Sequence, residues 1–227
     1  MAVNINEMKE KLAYSCNILA YEGHWDNILG HVSVRIPGQN KILMKPHSFG
    51  FEEIRPQHII VVDIDSGKKI QGKYERHSEV FIHTEIMKAR PDVNCVVHSH
   101  PPYATAFGAL GQRLRPISHE GNIFYEGLPT FDYTTALIRT PDLGVEVAKM
   151  KNHGSTVVGE SIEVATLYAV FLEKAARIQL MATASGDPSW TSDEESVVKY
   201  EQIYTPHRLG SMWDYFVRRA KKFRKSV

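Results

Sequence analysis

The chain has 227 residues, 43% hydrophobic and 23% charged, which is ample for a sizeable core and ordinary for a soluble globular protein. A formal net charge of +1 leaves no extended basic footprint and argues against nucleic acid as a partner. Cys16 and Cys95 lie outside any C-x-x-C spacing and read as buried thiols of a reducing compartment; MAVNINEMKEK lacks a signal pattern and no apolar run reaches bilayer length, so the expectation is a cytoplasmic protein without a membrane partner.

In chain order, INEMKEKLAYSCNILAYE at 5–22 repeats apolar residues at helical spacing and stops at Gly23. From 31 to 72 the pattern changes to short strands, HVSVRI, KILMK and HIIVVDID, followed by a turn at Ser66-Gly67. SEVFIHTEIMKAR at 78–90 predicts a helix with Ser78 as a possible cap and Pro91 as its stop. VNCVVHS then predicts a buried strand and PPYATAFGAL a helix with proline in its first turn. The stretch 111–135 is punctuated by Gly and Pro, with extended pieces such as LPTFDY. Helices are predicted over 141–150, 160–184, 192–201 and 206–222, with STVVG as a strand between the first two. No linker or repeat divides the chain, so it reads as one domain over 1–227 with a helical tail from about 192. Central strands with surrounding helices predict an α/β fold, an αβα sandwich around a mixed or largely antiparallel sheet. The basic run RRAKKFRK at 218–225 reads as a solvated helix end.

The chemistry begins at VVHSHPP. Alternation along a strand sends His98 and His100 to one side, the spacing of a chelate, and His153 in KNHGSTVVG is the natural third ligand of a divalent ion. Two satisfied strand-end histidines are the bland alternative. H-x-H also opens a metal motif that needs a glutamate about four residues later, and PPYATAF contains no acid. Glu79 and His83 share a helix face, being four residues apart. A glutamate there can be a metal ligand, a general acid/base, or only an acidic residue suited to a helix start. His83 reads as a packing or supporting residue.

GHVSVR, HSEVFIH, PDVNCVVHSHP, LIRTPDLG and NHGSTVVGESIEVA together resemble the class II aldolase/adducin superfamily, over about 8–184. The resemblance implies an αβα sandwich, one divalent metal per subunit (zinc, manganese or iron) on His98, His100 and His153, Glu79 as catalytic acid/base, and a homotetramer with sites at subunit interfaces. Three pieces that hold phosphate in the sugar-phosphate aldolases are altered: Gly30-His31, the loop PHSFG containing Ser48, and His77-Ser78-Glu79. Charge-assisted hydrogen bonds are worth roughly 1.5–3 kcal/mol each, so losing several removes phosphate affinity. His31, Ser48, His77 and Ser78 are therefore candidate contacts for a different substrate. The resemblance places His119 near the position of the family's tyrosine acid, as a second catalytic candidate that can be presented to a neighbouring subunit. These changes resemble the branch that acts on aromatic acids, including hydroxy-methylpyridine-dicarboxylate and dihydroxyphthalate decarboxylases. Arg139 can pair a substrate carboxylate or make a salt bridge at a helix start. The expected activity is a metal-dependent lyase that decarboxylates a non-phosphorylated hydroxy-aromatic or hydroxypyridine carboxylic acid in aromatic catabolism. Retro-aldol cleavage, iron-dependent oxygenation and a non-catalytic adducin-like module are the alternatives.

Overall fold

The structure is a computed structural model that describes residues 4–128, 133–134, 136–149 and 156–226. His153, and most of the LPTFDY and NHG stretches, lie outside the described residues.

Helix α1 (Ile5–Tyr21) starts at Asn4, whose side chain accepts from the Glu7 backbone N–H at 3.2 Å. It ends ahead of Gly23, whose φ of +97° is strained for any residue with a Cβ. Strands β1 (His31–Arg35), β2 (Lys41–Met44), β3 (Ile60–Asp63) and β4 (Lys69–Gln71) follow. The last is too short to carry a pattern of its own; it is the return arm of the turn at Ser66-Gly67. Helix α2 (Val80–Ala89) begins later than its sequence pattern suggests. Its N-cap is Glu79 and not Ser78, which is exposed, and Glu79 makes no capping bond because its carboxylate is engaged elsewhere.

Next come β5 (Cys95–His98), α3 (Pro102–Ala109), α4 (Pro141–Ala148), β6 (Thr156–Gly159), α5 (Ile162–Ala184), α6 (Asp193–Ile203) and α7 (Pro206–Ser226). A 3-10 turn, Glu120–Phe124, occupies part of the stretch expected to be irregular.

The six strands lie in the order β4-β3-β2-β1-β5-β6 with every neighbouring pair antiparallel. Alternation decides which layer each side chain joins. Val32, Val34, Leu43, Cys95 and Val97 pack with α1, α5 and α7 on one face. Ile42, Met44, Ile60, Val62 and Val96 pack with α2 and α4 on the other. His31, Ser33 and His98 share the parity of this second group and so stand on the α2 face. Gly144 of α4 lets that layer close: a Cβ there would come within 2.6 Å of the Phe81 carbonyl oxygen of α2.

The C-terminal helix is a packing helix. Leu209, Trp213 and Ala220 are buried in the same core as α1 and α5. Its basic end also differs from expectation, because it clamps α1. Arg219 pairs with Glu22 at 2.8 Å and lies over the Tyr21 ring, while Arg224 lies 4.1 Å from the Tyr14 ring centroid and donates to the Asn17 side chain. Stacking an arginine on an aromatic ring keeps its charge while its stem covers apolar surface. Both cysteines are buried and unpaired, and burial pushes the Cys16 thiol up to about 12, which makes it inert. Among the described residues no helix is long and apolar enough to cross a membrane.

Candidate active site

Three strands set one rung of side chains. His31 of β1 lies opposite His98 of β5, and His98 lies opposite Thr156 of β6. The His31 and His98 rings stack with centroids 4.8 Å apart, and His98 Nδ1 is 2.8 Å from Thr156 Oγ1. Glu79, at the start of α2, brings Oε2 to 3.7 Å from His31 Nε2. Its other oxygen, Oε1, accepts from the Ile138 N–H at 3.0 Å. His31, Glu79 and His98 each offer a ligand atom within 4.8 Å of the others.

His100 sits two residues past the end of β5. Its ring is edge-on to His98 with centroids 4.8 Å apart, and it is more exposed. Its Nδ1 lies 2.7 Å from Asp26 Oδ2, and this hydrogen bond holds the imidazole above its usual pKa. Below the turn, buried His24 places Nδ1 2.9 Å from Ser99 Oγ, and burial pushes its pKa down to about 4. Glu173 of α5 accepts from the Tyr103 and Ala104 N–H groups at 3.0 and 2.7 Å, fixing the start of α3 immediately after the histidines.

His83, one turn into α2 from Glu79, is fully buried. Its Nε2 is 2.6 Å from His31 Nδ1 and its Nδ1 is 2.7 Å from Ser33 Oγ. Burial pushes His83 down to about 3; burial, then the neighbouring histidines, lower His31 well below the usual range. His77 is also buried, its ring 4.5 Å from that of His31 and 5.0 Å from that of His47; burial and then Lys45 push it down to about 2.

Lys45 is 1% exposed, with Nζ 3.4 Å from His77 Nε2 and 3.3 Å from the Pro46 carbonyl oxygen, and burial lowers it to about 8. No carboxylate lies within 4.0 Å of it among the described residues. A buried cation without a counter-ion is costly and marks a place suited to an anion.

The remaining candidates are more dispersed. Ser48 is exposed in its loop at φ +68°, with Oγ 2.6 Å from His47 Nδ1, and Ser78 is exposed beside Glu79. Arg139 is exposed and makes no ion pair among the described residues, but it adjoins Ile138, which holds Glu79. His119 stands apart. Its backbone oxygen accepts from the Tyr204 hydroxyl at 2.7 Å, and it lines a cavity of ≈ 690 Å³ with Phe171, Tyr204, Arg208 and Met212, away from the histidine rung.

Sequence reasoning missed Asp26, Thr156 and Lys45 as parts of the site. Asp26 lies in a loop without periodicity, and Thr156 acquires meaning only from its register with His98. Ser33 was legible in principle, because His31 and Ser33 alternate within HVSVR.

The donor set fits a divalent cation. Thr156 engages His98 Nδ1 and Asp26 engages His100 Nδ1, the kind of support that orients a metal-ligating imidazole through its other nitrogen, although His100 stands outside the close group of His31, Glu79 and His98. A nearby carboxylate and a third imidazole complete a group of the kind that binds zinc, manganese or iron.

Residues 10–180 match the family described as Class II Aldolase and Adducin N-terminal domain. A 3,4-dihydroxyphthalate decarboxylase of Arthrobacter keyseri is 32% identical over 199 residues, covering 78% of this chain and 79% of that protein. A 4-hydroxy-3-prenylphenylpyruvate oxygenase/4-hydroxy-3-prenylbenzoate synthase of Streptomyces roseochromogenus subsp. oscitans is 33% identical over 196 residues, covering 82% and 70%. Among solved structures, the L-fuculose 1-phosphate aldolase from Glaciozyma antarctica PI12 superposes with a TM-score of 0.84 at 22% identity, over 100% of this chain and 94% of that one.

Proposed function

This chain belongs to the class II aldolase and adducin family, and from that premise we propose that it is a divalent-metal-dependent lyase that decarboxylates a non-phosphorylated hydroxy-aromatic or hydroxypyridine carboxylic acid. The observation that carries the reading is the wall of side chains where a sugar-phosphate site would need small phosphate donors. Two buried histidines, His31 and His77, stand there beside the Lys45 ammonium, which meets no carboxylate within 4.0 Å among the described residues. This wall is ring-lined and cationic at one end, which suits an aromatic acid better than a sugar phosphate. Similarity to dihydroxyphthalate decarboxylase over most of both chains supports the same substrate class.

His98, His100 and His153 would hold the metal. When bound, it supplies a chelating template and Lewis-acid stabilisation of the electron-rich ring left by carbon dioxide. The chain's own residues do the rest. Lys45 and His77 attract the carboxylate end of the acid, and Arg139 covers it from the loop beside Ile138. As the bond from ring carbon to carboxylate breaks, its electron pair stays on the ring carbon; Glu79, a carboxylate between turnovers, takes a proton from solvent onto Oε2 and delivers it to that carbon. Its Oε1 stays fixed by the Ile138 N–H, which holds the acid in place during the transfer. His119, far from the rung within one chain, serves a neighbouring subunit's site in a homotetramer. Exposed Trp25 and Leu29, at 62% and 53%, flank the loop of Asp26 and supply apolar surface for that contact.

The test is metal analysis of the purified protein, then a carbon dioxide release screen over hydroxylated aromatic and pyridine dicarboxylates, with sedimentation to read the assembly. Bound metal with release from an ortho-hydroxy acid is expected. Failure to bind any divalent metal on reconstitution would overturn the reading. One other activity has a specific observation behind it, the similarity to a prenylated-phenylpyruvate oxygenase. Oxygen uptake with retained iron would favour that chemistry.

A further inference from the structure

His31, His83 and Ser33 form a hydrogen-bonded chain whose direction follows from counting protons. β1 places His31 and Ser33 two residues apart on the α2 face, and His83 of α2 spans them with contacts of 2.6 and 2.7 Å. All three side chains are fully buried, so each contact must be satisfied within the protein.

With one proton on each ring, two orders are possible. In the first, His31 donates from Nδ1 to His83, and His83 donates from Nδ1 to Ser33. His31 Nε2 is then a lone pair facing the Glu79 carboxylate, whose Oε2 is 3.7 Å away, and the Ser33 hydroxyl hydrogen has no acceptor among the described residues. In the second, Ser33 donates to His83 Nδ1, and His83 donates from Nε2 to His31 Nδ1. The last proton then sits on His31 Nε2, facing the carboxylate. Each order leaves one proton without an acceptor in the chain, the Ser33 hydroxyl in the first and His31 Nε2–H in the second; the second is favoured because it turns a positive end, not a lone pair, toward the Glu79 carboxylate 3.7 Å away. That Nε2 has no hydrogen-bond partner among the described residues, and its proton faces the space beside Glu79 and His98.

We propose that Ser33 and His83 hold His31 as its Nε2–H tautomer, making His31 a hydrogen-bond donor to an anionic oxygen of the substrate and not a metal ligand. This sorts the cluster of His31, Glu79 and His98: proximity alone would count His31 as a ligand, whereas the proton order removes its lone pair from the cation. His83 and Ser33 act through His31 and are positioning residues. Naming the anion as a substrate carboxylate or ionised hydroxyl rests on the decarboxylase reading; the tautomer does not.

The experiment is nitrogen NMR of the full-length protein labelled with 15N in its histidine rings, before and after zinc loading, with His31→Asn to assign the His31 signals. Protonated Nε2 and bare Nδ1 on both His31 and His83, unchanged by zinc, are expected. A bare or zinc-shifted Nε2 on His31 would overturn the proposal. Kinetics add a second reading. Ser33→Ala should lower kcat by about 10- to 100-fold, as loss of a supporting partner does, and Ser33→Thr, which keeps the hydroxyl, should recover activity. In a His31→Asn background, Ser33→Ala should cost no further activity, because an amide donates without any tautomer to maintain. Fully additive losses would count against the chain. If no hydroxy acid is turned over, the decarboxylase reading fails, and the NMR still decides the tautomer.

Discussion

His31 and His98 occupy one rung of the sheet, with their rings stacked at 22° and their centroids 4.8 Å apart, although 67 positions separate them in sequence. The stack fixes both rings against rotation. Their outer nitrogens are held in different ways, His98 by a threonine hydroxyl and His31 by another imidazole. Two like residues in one rung can therefore take different parts, one a ligand and the other a donor.

Asp26 orients His100 through a 2.7 Å contact to Nδ1. Replacing Asp26 with Asn should weaken metal binding by about 10- to 100-fold while the fold persists. Competition with a chromophoric chelator, alongside circular dichroism, checks it. Unchanged affinity would remove His100 from the ligand set.

Glu79→Gln keeps an oxygen for the Ile138 N–H but cannot deliver a proton. Carbon dioxide release should fall by about 10²- to 10⁴-fold with metal content intact. A variant as fast as the parent in a confirmed assay would end the assignment of Glu79 as the acid.

Lys45 has a folded pKa near 8 against 10.5 for the free group, because burial disfavours its charge. Between those values the unfolded chain binds the proton that the folded chain has released, so folding stability rises with pH across that window. The gain between pH 7 and pH 10 should be about 2–3 kcal/mol relative to Lys45→Met. Urea unfolding of both proteins at the two pH values measures it. Parallel pH profiles would mean that the ammonium is better solvated than its burial implies.

His24, buried under Ser99 with a pKa near 4, gives the opposite end of the pH range. Below the free value of 6.5 the unfolded chain takes up a proton that the folded chain refuses until about pH 4, so stability is lost as pH falls through that interval. This one group should account for about 2 kcal/mol between pH 7 and pH 5. His24→Gln should flatten the profile by that amount. If the variant keeps the parent's slope, the acid sensitivity belongs to other histidines.

Much of the architecture could be read in advance because helices and strands announce themselves by period. The apolar repeat of 5–22 and its glycine stop, the alternation of HVSVR, and the helical runs behind α4 and α5 all have local causes, and the structure contains each of them. Ser78 was misjudged as a cap because cap preference is also local, whereas Glu79 takes the position while its carboxylate binds Ile138, 59 residues on. The solvated basic end was misjudged for the same reason: only the docking of α7 on α1 puts Arg219 and Arg224 over tyrosines.

The sequence by itself determined the strands and helices, the family, and the residue types able to bind a metal and move a proton, since these follow from spacing and chemistry within short segments. Only the tertiary structure decided that His31 faces His98, that Asp26 and Thr156 engage Nδ1 of His100 and His98, that Lys45 is buried with no carboxylate beside it among the described residues, and that Ser33, His83 and His31 join in one chain of contacts. Those facts depend on the register of β1, β5 and β6 and on the seating of α2 over them. Register is set by how whole layers pack, so a segment that determines its own conformation does not determine which distant side chain will stand opposite it.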